Sequence, residues 1–329
     1  MVPAVLRKAR LGVKRLRRRV QSWVLVRAVR AALWALQHRS LEQAVSLGER
    51  LGALAYWLSP KLRRLALEHL ELAFGDELSP QARERIARAC FANAGRLFCE
   101  VARMDEIRQR RDELFTLVGE DNLRAILSRG TGCIAITGHI GNWELLAAYF
   151  AWRGIPVSAV ARRVYVPELN ELIVGWRQRQ GVCTILRESP SSARAILRVL
   201  RDNGILAMVI DQDTHVPSVS VPFFGRPART PVAAAALALR RGLPVAPVFI
   251  QRTGNVGWRV TVCPPIVPEP RQDRREALRE VVAEMNRIIE AQIRANPVEW
   301  PWWHRRWRRA PMPKLDLDGA VGYEGTHGF

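Results

Sequence analysis

The feature that most restricts the fold is an alternation of short apolar runs with amphipathic stretches, from about residue 130 to residue 295. The apolar runs contain β-branched side chains and are typical of strands buried on both faces. Alternating strands and helices predict an α/β fold with a mostly parallel central sheet flanked by helices. The expected strands are 133–137, 157–161, 182–186, 205–210, 245–250 and 258–263. The expected helices are 142–152, 168–180, 191–202, 231–241 and 273–295.

Cysteine usage argues against a disulfide framework or a structural zinc site. The five cysteines are an odd number, lie far apart and include no C-x-x-C pair or cysteine–histidine cluster. We therefore interpret them as small apolar residues in a reducing cytosol, and we expect no metal. They are Cys90, Cys99, Cys133, Cys183 and Cys263.

The basic N-terminal segment, residues 1–40, carries eleven Lys and Arg residues and no acidic residue, in a chain of net charge +20. Its longest apolar stretch, 23–36, contains Arg27 and Arg30 and is too short to span a bilayer. A helix here would gather its apolar residues on one side, which favours a helix lying among anionic lipid headgroups. That stripe is Leu25, Val29, Ala32, Leu33 and Leu36.

Three other interpretations of this segment remain open: a solvated basic tail, a nucleic-acid-binding arm and a mitochondrial presequence. A secretory signal fits poorly, because arginines interrupt the apolar part. The whole chain then divides into this segment (1–40), a helical lead-in (41–111), an α/β domain (112–310) and a C-terminal tail (311–329).

The motif TGHIGNWE, residues 137–144, directly follows the first apolar run of the alternating region. Ligand sites in open α/β sheets lie at such carboxyl ends of strands. If Asn142 caps the next helix, Glu144 lies in its first turn and can reach back to His139. A carboxylate on one ring nitrogen would leave the other free to accept a proton from an alcohol. The alternative is a structural imidazole beside a capping carboxylate.

This motif resembles the H-x-x-x-x-[D/E] motif of glycerolipid acyltransferases, and in this form it is similar to the lipid A late acyltransferase family of lauroyl and myristoyl transferases. The resemblance extends over residues 60–310. It continues through the Arg162-Arg163 pair, the Asp211-Gln212-Asp213 strand end, the segments 221–225 and 228–230, and the segment 297–308.

The resemblance implies transfer of a fatty acyl chain from acyl carrier protein, or less often coenzyme A, to a hydroxyl of a membrane lipid. It implies a monotopic or peripheral enzyme at the cytoplasmic face of the inner membrane, with no metal or redox cofactor. His139 would be the general base and Glu144 its orienting partner. The residues expected to support the motif are Gly141, Asn142, Trp143, His304 and Arg305.

Several further residues are candidates for substrate binding, each with a structural alternative. Arg163, and with it Arg162, could bind a phosphate or simply be solvated. Asp211 ends an apolar strand and should have a cationic or histidine partner, or else begin a loop. The acyl groove could be lined by Phe223 and Phe224, which could equally be core aromatics. The remaining candidates are Asp213 and Arg229.

The segment 300–309 interleaves tryptophans with basic residues. This mixture suits a membrane interface, although stacking within the fold and binding of single-stranded nucleic acid remain alternatives. The expected acceptor is lipid A or a related glycolipid, and the alternatives are a phosphatidylinositol mannoside or lyso-ornithine lipid. A function of another class would be nucleic-acid binding, which we do not expect because no nucleic-acid-binding motif is present.

Overall fold

The computed structural model describes residues 4–269 and 272–307, with side chains from residue 20 onward. The Arg308 and Arg309 of the tryptophan-rich segment and the C-terminal tail lie outside the described residues. The helices are α1 (Ala4–Gln37), α2 (Leu41–Leu58), α3 (Pro60–Phe74), α4 (Pro80–Ala102), α5 (Met104–Gln109), α6 (Arg111–Leu114), α7 (Glu120–Leu127), α8 (Trp143–Trp152), α9 (Pro167–Arg179), α10 (Ser192–Arg201), α11 (Ala233–Arg241) and α12 (Arg274–Ala295).

The strands form one large sheet and one hairpin. They are β1 (Phe115–Val118), β2 (Cys133–Thr137), β3 (Val157–Ala161), β4 (Val182–Leu186), β5 (Ile205–Val209), β6 (Ser218–Phe223), β7 (Arg226–Pro231), β8 (Val245–Arg252) and β9 (Trp258–Val262). The sheet has the order β1-β9-β8-β2-β5-β3-β4, and β6 and β7 form the antiparallel hairpin. The predicted α/β class with a mostly parallel sheet is confirmed, since only the β8–β9 pair of the sheet is antiparallel.

The expected strands all occur, with ends within two residues of prediction. The sequence did not predict β1, β6 or β7. β1 is a four-residue edge strand, too short to show a pattern, and β7 contains two prolines, Pro227 and Pro231.

Alternate residues of the central strands face opposite sides of the sheet. Ile134 and Ile136 of β2 join one apolar cluster, with residues of α11 and α12, while Cys133 and Ala135 join another, with residues of α7 and α8. Both faces are therefore covered by helices, which explains why these strands are apolar throughout instead of alternating with polar residues.

The helices before the sheet are packed through glycines. Gly48 and Gly52 of α2 lie against Gly95, Phe91 and Ala92 of α4 so closely that a Cβ on Gly95 would come within 1.9 Å of the Gly48 carbonyl oxygen. The same helix α4 also forms part of the wall of the candidate active site.

The basic N-terminal segment is helical, but its apolar stripe is divided. Leu36 is buried against Ala44 of α2 and Cys99 of α4, whereas Leu25 is exposed. The expectation that the whole stripe faces lipid is therefore wrong at Leu36, because that end of α1 packs on the protein. Trp23 and Trp34 are exposed instead.

Candidate active site

The order of the strands brings His139 and Asp211 together, although 72 residues separate them. β5 lies beside β2 in parallel register, with Thr137 opposite Val209, so the residues that follow the two strands are neighbours. The backbone N–H of His139 donates to Asp211 Oδ2 at 2.7 Å, and its ring Nδ1 lies 2.7 Å from Asp211 Oδ1. Asp211 is thus bound twice by one residue.

Asp211 is fully buried but ionised. Burial opposes its ionisation, but the His139 charge and the hydrogen bonds from the His139 ring, Trp300 and the His139 backbone hold the pKa of Asp211 below its usual range. Trp300 Nε1 donates to Oδ2 at 2.7 Å. Because an ionised carboxylate only accepts hydrogen bonds, Nδ1 of His139 carries a proton, so Nε2 is the ring nitrogen that can exchange a proton with a substrate.

Gln212 and His304 also lie beside the His139 ring. The Gln212 amide nitrogen is 3.1 Å from both ring nitrogens of His139 and 2.8 Å from His304 Nε2. Burial, together with the charge of His139, lowers the pKa of His304 to about 4, so His304 is neutral near pH 7 and accepts this hydrogen bond. Trp143 packs edge-on against His139, with ring centroids 4.6 Å apart.

Glu144 does not orient His139 as the sequence analysis expected. Its two carboxylate oxygens accept hydrogen bonds from two nitrogens of the Arg177 guanidinium, with Nε at 2.8 Å from Oε2 and Nη2 bound to Oε1. Asn142 does cap α8, since its Oδ1 accepts the Leu145 N–H at 3.0 Å. Glu144 therefore lies in the first turn of α8, as predicted, but pairs with Arg177 of α9, and the partner of the His139 ring is Asp211.

The arginine pair after β3 lies at the same carboxyl edge of the sheet as His139. Both Arg162 and Arg163 have exposed side chains, and the Arg163 backbone N–H donates to Glu188 Oε2 at 3.2 Å. Arg305 is also exposed. These guanidinium groups are therefore accessible to an anionic ligand.

Asp213 and Arg229 face each other inside the protein. Arg229 Nε lies 3.7 Å from Asp213 Oδ1, and both side chains are largely buried. Next to them, the buried Arg306 donates to the Arg229 carbonyl and, at 2.7 Å, to Thr230 Oγ1. Asp213 and Arg229 therefore form a buried ion pair, which is a structural role for two residues that the sequence offered as substrate-binding candidates.

The aromatic candidates are core residues. Phe223 and Phe224 are buried, and both pack against Trp307. Of the two alternatives, the structure favours the core role, because the β6–β7 turn packs onto the segment that contains Trp307. The interface interpretation is wrong for Trp300 and Trp302, which are 0% exposed.

A cavity of about 100 Å³ adjoins His139. Its walls are mainly apolar and come from α4, the turn before α8 and the segment after α12. The lining residues are Cys90, Asn93, Ala94, Leu97, His139, Gly141, Trp143, Glu299, Trp300, Pro301 and Trp303.

No group of three His, Cys, Asp or Glu side chains in the described part of the chain is arranged to hold a metal ion. No helix within the same residues is long and apolar enough to cross a membrane.

The contacts of several residues of this site were not predicted from the sequence. Trp300, Gln212 and Arg177 carried no local signal for their contacts, because each partner is distant in the chain. Asp211 did carry a local signal for its contact, since a carboxylate that ends a buried strand requires a partner.

Comparison with known proteins identifies the family. A model of the bacterial lipid A biosynthesis acyltransferases matches residues 12–309. The chain belongs to this family. The resemblance seen in the sequence is thereby confirmed, and the protein is an acyltransferase.

Individual relatives of this acyltransferase are distant. It is 26% identical to the phosphatidylinositol mannoside acyltransferase of Mycobacterium tuberculosis (strain ATCC 25618 / H37Rv) over 67% of this chain and 69% of that protein. It is 26% identical to the lipid A biosynthesis lauroyltransferase of Escherichia coli (strain K12) over 85% of this chain and 90% of that protein. For the palmitoleoyltransferase of the same strain the identity is 25%, over 82% and 87%.

Among solved structures, the 1-acyl-sn-glycerophosphate acyltransferase of Thermotoga maritima aligns with 78% of this chain and 99% of that chain, at 14% identity and a TM-score of 0.36.

Proposed function

We propose that this acyltransferase moves a fatty acyl chain from an acyl thioester to a hydroxyl of a membrane glycolipid, with His139 as general base. The observation that carries the proposal is the 2.7 Å contact between His139 Nδ1 and the buried, ionised Asp211. This contact orients the ring and stabilises the imidazolium that forms when Nε2 takes a proton.

In the proposed step, Nε2 of His139 removes the proton of the acceptor hydroxyl while the oxygen attacks the thioester carbonyl carbon. The new C–O bond forms, the C–S bond breaks, and the leaving thiolate takes the proton back from the imidazolium. No acyl-enzyme intermediate is needed. The N-terminus of α8 lies beside the ring, and its amide groups carry partial positive charge that would stabilise the oxyanion.

The cavity beside His139 supports this placement of the thioester. Its mainly apolar walls suit the first carbons of an acyl chain, whose carbonyl would then lie at the ring. The exposed guanidinium groups of Arg162 and Arg163, at the same edge of the sheet, would bind a phosphate of the acceptor. Acyl carrier protein is the proposed donor, with coenzyme A as the alternative.

For the acceptor we propose lipid A or a phosphatidylinositol mannoside, since the relatives act on one or the other. Lyso-ornithine lipid stays a further possibility for the same site. The decisive experiment is mass spectrometry of total lipids from cells that express the unaltered chain or His139→Ala. A lipid heavier by one acyl chain, present only with His139, is expected and would name both acceptor and chain.

The control for this experiment is Asp202→Asn, which removes an exposed carboxylate paired with Arg201 at the end of α10. This variant should produce the same lipids as the unaltered chain. Equal amounts of the heavier lipid with His139→Ala would contradict the assignment of the base.

We also propose that the enzyme is bound to the cytoplasmic face of the inner membrane through its helical N-terminal part. Besides the basic α1, the helices α2 and α3 expose an apolar surface, and two arginines flank its tryptophan: Arg63 and Arg88 lie 5.6 and 5.8 Å from the Trp57 ring. Rings at the headgroup level and guanidinium groups near lipid phosphates favour such binding. The surface consists of Leu51, Leu54, Trp57, Leu58 and Leu62.

Sedimentation with vesicles of anionic phospholipid tests this surface. Replacing Trp57 and Leu58 by Ser should weaken binding, whereas Leu197→Ser, at an exposed leucine of α10, should not. Unchanged vesicle binding of the double variant would contradict the proposal that this surface binds the membrane. Binding to nucleic acid that falls steeply with salt and survives His139→Ala would instead support the function of another class.

A further inference from the structure

The turn that carries His139 is hydrogen-bonded to a buried carboxylate of α4. Glu100 is 0% exposed, and its Oε2 accepts the Asn142 Nδ2–H at 2.9 Å. Asn142 uses its other side-chain atom, Oδ1, to accept the Leu145 N–H at 3.0 Å. One carboxamide thus joins three elements: the turn after β2, the start of α8, and α4.

The same carboxylate is tied to the end of β8. The Arg252 guanidinium binds Glu100 Oε1, and the Arg252 backbone N–H donates to Glu299 Oε1 at 2.9 Å. The carbonyl of Glu299 in turn accepts the Gly141 N–H at 3.0 Å. Gly141 and Asn142, which follow His139 by two and three residues, are therefore anchored to one buried cluster of Glu100, Arg252 and Glu299.

We propose that Glu100 is a positioning residue for His139, acting through its hydrogen bond with Asn142. This inference rests on the proposed function, in which His139 Nε2 is the base. Asp211 fixes the ring and the backbone N–H of His139, but the turn also needs an anchor after the histidine, and the Glu100–Asn142 bond is the side-chain contact that supplies it. A displacement of about 1 Å at such a place can lower a rate about 100-fold.

The alternative is that Asn142 acts only as the cap of α8, and Asn142→Asp separates the two roles. Aspartate caps a helix about as well as asparagine, so a pure capping role predicts unchanged activity. If the bond to Glu100 matters, Asn142→Asp places two carboxylates against each other and kcat should fall about 100-fold, with KM within about twofold of the original.

The second variant, Glu100→Gln, changes the acceptor side of the Glu100–Asn142 hydrogen bond. Its amide can accept from Asn142 or from Arg252 but not from both, so kcat should fall here too. In the double variant Glu100→Gln/Asn142→Asp, the Gln nitrogen donates to the Asp, the Gln oxygen still accepts from Arg252, and the Asp still caps α8. The net charge is also restored. We expect the kcat of the double variant to be at least tenfold higher than that of the less active single variant.

A matched control is Glu49→Gln, which removes another carboxylate paired with an α4 arginine, Arg96 at 2.6 Å, on a more exposed part of the α2–α4 contact. Its kcat should equal that of the unaltered chain. The positioning role is overturned if Asn142→Asp keeps full kcat, or if the double variant is no more active than the weaker single variant.

Failure of the proposed function would look different. If the unaltered protein transfers no acyl group, the proposed function fails. The Glu100–Asn142 bond is then tested by histidine-selective ¹⁵N NMR of four proteins: the unaltered chain, the two single variants and the double variant. The His139 ring signals should shift in each single variant and return in the double variant. Ring signals that are identical in all four proteins would overturn the positioning role independently of turnover.

Discussion

Trp300 donates its indole N–H to the same oxygen of Asp211 that accepts the backbone N–H of His139, each at 2.7 Å. The C-terminal part of the domain therefore completes the environment of a carboxylate that follows the central strand β5. The ring of His139 takes the other oxygen, at 2.7 Å. Asp211 is the meeting point of three distant parts of the chain.

Asp211→Asn should lower kcat by about 10² to 10⁴-fold, the usual range for general acid–base catalysis. An asparagine cannot accept from the ring, the His139 backbone and Trp300 together, so one donor is left unpaired or the ring adopts the other tautomer. Glu144→Gln should lose less, because Glu144 binds Arg177 and not the ring. Steady-state acyl transfer measures both. Equal losses would show that Glu144 acts on the histidine after all.

Trp300→Phe should cost about 1.5–3 kcal/mol more in the free energy of unfolding than Trp258→Phe, because it also removes a hydrogen bond to a charged group. The comparison is matched, since both tryptophans are fully buried and, among the described residues, Trp258 Nε1 has no hydrogen-bond partner. Denaturant unfolding measures the difference. Equal costs would mean that the Trp300–Asp211 bond adds no net stability.

Gly95→Ala should destabilise the protein by about 1–3 kcal/mol or more through overpacking, since the new Cβ meets the Gly48 carbonyl across the α2–α4 contact. Gly175→Ala is the control. It lies inside α9 with nothing within 4 Å of the added carbon, so it should gain about 0.5–1 kcal/mol from helix propensity. Thermal unfolding of the two variants should therefore shift in opposite directions. A stable Gly95→Ala protein would contradict the close helix contact.

The stability of the protein should fall as pH rises from about 4.3 to about 7, because of Glu299. Burial, with the charge of Glu100 adding to it, raises the pKa of Glu299 to about 7. An unfolded glutamate has a pKa of about 4.3, so between these values the folded state keeps a proton that the unfolded state has released. The stabilisation is complete below the unfolded pKa and is lost as pH rises through about 7.

The variant Glu299→Gln should show a flatter profile of Tm against pH between about pH 5 and pH 8 than the unaltered chain. Glu77→Gln, which removes a more exposed carboxylate paired with Arg294, should keep the original slope. A Glu299→Gln profile parallel to the original would show that Glu299 does not hold this proton.

The sequence predicted most of the sheet because buried parallel strands are apolar throughout and helices repeat every 3.6 residues, and both are local patterns. It failed for β1, which is too short to show a pattern, and for the β6–β7 hairpin, where prolines interrupt the pattern expected of a strand. It also left both a binding surface and core packing open for Phe223, Phe224, Trp300 and Trp302, because an aromatic residue has the same local signal in a core and at an interface.

The sequence by itself indicated the family, the position of His139, the proposed base, and the helix cap at Asn142, since each is carried by a motif of residues that are adjacent in the chain. Only the tertiary structure decided which carboxylate serves His139. Insertion of β5 between β2 and β3 places Asp211 at the ring, while the first turn of α8 directs Glu144 to Arg177. Strand order arises from packing over the whole domain, so no local spacing could have made that choice.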